Sequence, residues 1–137
     1  MRLLTTYTLP RPFYGYNIPI SIQSAYLRDY ASRQGFRFSL PVTEIVTTNS
    51  YVMLRGIFSS EGDHLTDLAV VSGFVFPLSD RGTMTALFSE FITRQDVKFH
   101  LVLEAKVLIA KELLQWADEI ITIRSLIPHY SSSISPG

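Results

Sequence analysis

The spacing of apolar and polar positions changes period several times along the chain, and each change marks an element. Residues 3–9, rich in Leu, Thr and Tyr, read as a first strand. Pro10 and Pro12 close it, because a proline has no N–H to donate to a sheet ladder. Ile22, Ala25, Tyr26 and Tyr30 then recur at helical spacing, which predicts a helix over 19–34. Pro19 suits its first turn, Ser21 offers a cap and Gly35 a left-handed end. Phe36, Phe38, Leu40 and Val42 give a second strand over 36–42, with Pro41 placing its far end at the sheet margin. Residues 43–48 read as loop, and Asn49 or Ser50 would cap a short helix ending at Phe58. A polar connection spans 59–67.

The run at 68–76 is apolar apart from Ser72 and Gly73. It has no wet face, as expected of a central strand covered on both sides. Ser79 or Asp80 opens the next helix, where Met84, Leu87, Phe88, Phe91 and Ile92 keep a helical stripe. A fourth strand is expected over 98–103 and a last helix over 108–124, with Leu113, Trp116, Ala117 and Ile120 on one side. Strand and helix alternate throughout. That order predicts one α/β domain over 1–127, built in three layers: a mostly parallel sheet of about four strands with helices on both faces. Pro128 and the serines after it suggest a flexible carboxy-terminal tail over 128–137.

Composition narrows the function classes. Of 137 residues, 47% are apolar and 18% charged, enough to bury a core and too apolar for disorder. Twelve basic and twelve acidic residues cancel, so the surplus of cations that grips nucleic acid is missing. With no cysteine, disulfides, thiolate nucleophiles, iron–sulfur ligation and Cys-type zinc sites are excluded. No apolar run approaches the ~20 residues that cross a bilayer, and Met1 to Thr6 is too polar for a signal peptide. A soluble protein of the reducing cytoplasm is the expectation.

No glycine-rich phosphate loop follows the first strand, and no Gly-x-Ser-x-Gly elbow is present. His64, His100 and His129 fall in a loop, a strand and the tail, so neither a metal site nor a cofactor is expected. What remains is positional. Ligands of open parallel sheets bind beyond the carboxyl ends of the strands. The polar residues expected there are Arg11 after the first strand, Glu44 and Asn49 after the second, Ser79, Asp80 and Arg81 after the third, and Glu104 after the fourth. Arg11 and Arg81 beside helix amino termini would make an anion clamp, and Glu44 or Glu104 would be the general base. Tyr14 and Tyr16 could stack on a sugar ring or cover the sheet end. Arg28 could reach the same cleft or pair with Asp29.

Arg11-Pro12-Phe13-Tyr14-Gly15, Ile18-Pro19, Gln23, Leu27-Arg28-Asp29-Tyr30, Gly35 and Thr43-Glu44 together resemble the sporadic carbohydrate cluster proteins, a family of bacterial surface-polysaccharide gene clusters. Phe99 to Glu104 resembles that family's fourth strand. The family pattern has a cysteine where Ala31 stands here. The resemblance implies a part in bacterial surface-polysaccharide biosynthesis and a sugar phosphate or sugar nucleotide as ligand, without supplying a reaction. It equally admits a non-catalytic partner of a glycosyltransferase or other cluster enzyme. Leu108, Ile109, Leu126 and Ile127 add an apolar surface suited to that partner or to homo-oligomerisation. A fainter echo, of the serine recombinase catalytic domain, concerns fold alone, because Phe13 stands where the nucleophilic serine would be and the charge balance is neutral.

Overall fold

The computed structural model describes residues 1–13, 15, 17–45 and 51–134, with only the backbone at 125 and 127–134. The chain is α/β. In order it forms β1 (Leu3–Thr8), α1 (Ile20–Gln34), β2 (Arg37–Phe38), β3 (Val42–Thr43), α2 (Val52–Glu61), β4 (Asp67–Val70), α3 (Arg81–Phe88), β5 (Lys98–Leu101), β6 (Lys106–Leu108) and α4 (Ala110–Ile134). Two 3-10 turns, Gly73–Val75 and Ser89–Phe91, follow β4 and α3.

The strands form one sheet ordered β2-β1-β4-β5-β6, with β3 also on β1. All pairings are parallel except β5 with β6, where Leu101 faces Lys106. The expected count of about four strands is therefore corrected to six. The added strand β6 is three residues long, too short to show a period, and it returns through a turn in which Ala105 takes a positive φ of 54°. The single strand expected at 36–42 is two short pairings on β1. Between them Pro41 has no N–H, and side chains replace the ladder: Ser39 Oγ donates to the Leu4 carbonyl and Thr6 Oγ1 to the Ser39 carbonyl.

The strand expected at 68–76 ends at Val70. Ser72 Oγ accepts the Phe74 N–H and Glu104 accepts the Gly73 N–H, which turns the chain into a 3-10 segment. Val71, Val75 and Phe76 are buried as expected of that apolar run, but outside the strand. A short apolar stretch reads the same in either conformation.

Alternate residues of β4 feed two apolar clusters. Leu68 and Val70 join Tyr7, Phe99, Leu101 and the inner faces of α2, α3 and α4, whereas Ala69 joins Leu4, Leu27 and Ala31 beneath α1. The stripe predicted on α1 is shifted by one residue. Gln23, Leu27 and Ala31 are its buried positions, while Ile22 and Tyr26 are each 46% exposed. Gln23 is buried because its amide ties β1 to α1: Oε1 accepts the Leu9 N–H, and Nε2 donates to the Leu9 and Ile18 carbonyls. Gly35 ends α1 at φ 76°, as its position predicts. The stripe on α3 is buried from Met84 to Phe91. α4 continues ten residues past the predicted end at Arg124.

Candidate ligand site at the strand ends

β1 and β4 lie side by side and parallel, with Thr5 opposite Leu68. The chain leaving β1 crosses through α1 to β2 on one side, and the chain leaving β4 crosses through α3 to β5 on the other. The strand order reverses at this point, where the loops diverge and leave a crevice. A cavity of about 390 Å³ occupies it. Arg11, Pro12 and Phe13 line it from the end of β1, Tyr51 from the start of α2, and Asp80 and Thr83 from the start of α3. The turn after β4 contributes Phe74, Pro77 and Ser79. Arg11 is oriented from two sides: Nη1 donates to the Ile45 carbonyl at 3.1 Å, and the guanidinium stands 5.4 Å from the Tyr51 ring centre. Among the described residues the Ser79 hydroxyl has no hydrogen-bond partner.

The electrostatics differ from the expectation in one respect. The helix amino termini near the crevice are already occupied by the chain's own carboxylates. Glu44, 2% exposed, accepts from the Tyr7 hydroxyl (2.7 Å) and from the backbone N–H groups of Ile45, Met53 and Leu54 (3.0, 3.1 and 3.3 Å). Burial pushes this carboxyl up, but those four donors outweigh it and hold it below the ordinary glutamate value. Burial, with the Glu44 carboxylate beside it, pushes the Tyr7 phenol far up. Asp80 caps α3 by accepting from the Thr83 hydroxyl and N–H, which hold its carboxyl low. With those positions filled, a bound anion would rely on guanidinium groups.

The predicted site residues separate accordingly. Arg11, Ser79 and Asp80 line the cavity. Arg81 does not: its Nε is 2.6 Å from Asp118 of α4, and it lines a groove between α3 and α4. The structure thus does not bring Arg11 and Arg81 together in one cavity. Glu44 is an amino-terminal acceptor for α2, which begins after Tyr51, and its saturated carboxylate is placed to hold the backbone. Glu104, in the β5–β6 turn, accepts from Ser72 Oγ at 2.7 Å and Gly73 N at 2.6 Å, tying the hairpin to the end of β4. Arg28 stands over the Phe38 ring at 5.3 Å, and Asp29 pairs with Arg33 instead. Tyr14, Tyr16 and Asn49 lie outside the described residues.

The sequence reading missed the cavity walls Phe74, Pro77 and Thr83. The one signal for them was the Ser72-Gly73 break inside an apolar run. It also missed a polar relay between α1, β4 and β5. Asp67 Oδ1 accepts from His100 Nε2 at 2.8 Å, leaving Nδ1 to accept from the Tyr30 hydroxyl at 2.6 Å. Burial, then the charge of Asp67, raises the Tyr30 phenol above its ordinary value.

Among the described residues no three His, Asp or Glu side chains cluster as a metal site would require, and no helix is long and apolar enough to cross a membrane. No protein-family model matches the chain, and no curated protein matches it in sequence.

Proposed function

We propose that the chain binds a phosphorylated or nucleotide-linked sugar in the crevice between the ends of β1 and β4, as part of bacterial surface-polysaccharide biosynthesis. The observation that carries this reading is the composition of the cavity wall. One oriented guanidinium, Arg11, lines it together with the aromatic residues Phe13, Tyr51 and Phe74 and with Ser79. A guanidinium fork matches a phosphate or carboxylate, and aromatic faces suit the apolar face of a sugar ring or a nucleobase. The volume falls within the range of small-molecule sites. The resemblance of the chain between Arg11 and about Glu104 to the carbohydrate cluster proteins supports the same ligand class. Because Glu44 and Glu104 are committed to backbone donors, the reading is of a binding site first, and no residue is assigned a proton-transfer role.

A second reading, assembly with itself or with another enzyme of the same cluster, rests on α4. Towards its carboxyl end it exposes two large apolar side chains, Ile123 at 55% and Leu126 at 68%.

Thermal unfolding with millimolar sugar nucleotides and sugar phosphates tests the first reading. At a ligand concentration tenfold above Kd, stabilisation of about 1.4 kcal/mol is expected, and Arg11→Ala should abolish it. No shift with any ligand, or the same shift in Arg11→Ala, removes the proposal. Light scattering tests the second: a strict monomer in both wild type and Leu126→Glu counts against self-association.

A further inference from the structure

A second concavity, of about 240 Å³, is formed by Leu78, Ser79, Ile121 and Arg124. Ser79 belongs to both this hollow and the switch-point cavity. The two hollows therefore meet at one serine, with Arg11 in the first and Arg124 of α4 in the second. Nothing in the chain's alternating pattern placed Arg124 here, because it lies 45 residues beyond Ser79 and reaches the strand ends only through the packing of α4.

The arrangement has a consequence for ligand class. The amino termini of α2 and α3 are filled by Glu44 and Asp80, so backbone N–H groups there cannot neutralise a phosphate. Side-chain cations must do so, and a guanidinium fork engages one phosphate at a time. A sugar monophosphate carries its charge, close to two at neutral pH, on a single phosphoryl group, which the Arg11 hollow alone can hold. A diphosphate diester spreads two charges over two linked phosphates between two bulky ends, and two hollows that share Ser79, each with one arginine, match that spread. We infer that the two concavities form one bipartite site for a nucleoside-diphosphate sugar. Arg11 holds one phosphate, with the adjoining ring against Phe13 and Tyr51; Arg124 holds the other phosphate across Ser79. This rests on the binding function proposed above and narrows its ligand.

Isothermal titration with UDP-glucose, inorganic pyrophosphate and glucose 1-phosphate separates the two levels. Arg11→Ala should weaken all three, and Arg124→Ala should weaken UDP-glucose and pyrophosphate by about tenfold, the scale of one charge-assisted contact. Glucose 1-phosphate should bind Arg124→Ala within about twofold of wild type. Arg124 is exposed on its helix, and Arg124→Lys, which keeps a point charge without the fork, should fall between. If Arg124→Ala leaves all three affinities unchanged, or weakens all three alike, the bipartite site is wrong while an Arg11 effect leaves the binding reading standing. If none of the three binds at millimolar concentration, the binding reading fails and the bipartite site with it.

Discussion

Glu44 and Asp67 are both buried carboxylates, 2% and 1% exposed, yet they are satisfied in opposite ways. Glu44 receives four donors, three of them backbone N–H groups that the fold fixes in place. Asp67 receives His100 on Oδ1, while among the described residues Oδ2 has no hydrogen-bond partner and one ion-pair partner, the Arg2 guanidinium, 3.5 Å away and 67% exposed. A carboxylate held by backbone is a rigid structural joint. One held by side chains on other elements depends on those elements staying docked, here α1 through Tyr30 and His100. The difference separates a charge that stabilises the strand ends from one that reports on the packing of α1.

The largest expected effect follows from the first half of this contrast. Glu44→Ala strands the Tyr7 hydroxyl and three backbone donors, so urea unfolding should show a loss of about 3 kcal/mol or more. A loss under about 1 kcal/mol would mean that water replaces the carboxylate, and the contrast would collapse. The same group sets a pH dependence. Its folded-state value lies below the ordinary glutamate value of 4.5. The stability it adds is thus complete above about pH 4.5 and is lost as pH falls toward the folded value. Glu44→Gln should flatten the acid limb of a stability–pH profile measured between pH 6 and about 3; parallel wild-type and variant profiles would refute the assignment.

Asp67→Asn comes next. The amide oxygen still accepts from His100, and an N–H₂ group takes the place of an oxygen that was already without a partner. The cost should be about 1 kcal/mol by chemical denaturation, well below that of Glu44→Ala. Because the relay runs through Tyr30, amide exchange in α1 should rise more than exchange in α2. Equal changes in the two helices would show that Asp67 does not act on α1 docking.

These two carboxylates also mark how far the sequence could be read. The alternating order, the β1 and α3 spans, the Gly35 cap and the strand-end location of Arg11 and Ser79 were legible, because each rests on local spacing or on a rule about parallel sheets. Gln23 and Glu44 were not legible as buried joints. Both are polar residues most of whose partners lie 9 to 37 positions away in the chain, so no local pattern marks them. β6 was invisible for its length. The 68–76 run was read as strand throughout because burial, which the pattern encodes, does not distinguish a strand from a turn pressed against Trp116. Gly73 shows that pressure directly: a Cβ there would lie 2.5 Å from the Trp116 ring. Arg81 was assigned to the clamp from its position at a helix start, and its partner Asp118 lies on an element whose packing the sequence does not specify.

The smallest predicted effect is the sharpest test of the contrast. Arg2 is the one cation set against the unsatisfied oxygen of Asp67 among the described ion pairs, and it also stands 5.5 Å from the Phe36 ring centre. Were Asp67 held by charge as firmly as Glu44 is by backbone, removing Arg2 would be costly, since a buried carboxylate losing its only counter-charge is among the more damaging changes a core can suffer. The geometry argues otherwise. A guanidinium two-thirds exposed and 3.5 Å away is screened by water and forms no hydrogen bond to that oxygen, which puts the pair in the range of exposed ion pairs. Arg2→Ala should therefore cost no more than about 0.5 kcal/mol, with the Tyr30–His100–Asp67 relay intact by the His100 ring resonances in NMR. A loss above about 1 kcal/mol would show that Arg2 is the principal partner of Asp67. The two carboxylates would then differ in the kind of donor they use, not in how firmly they are held.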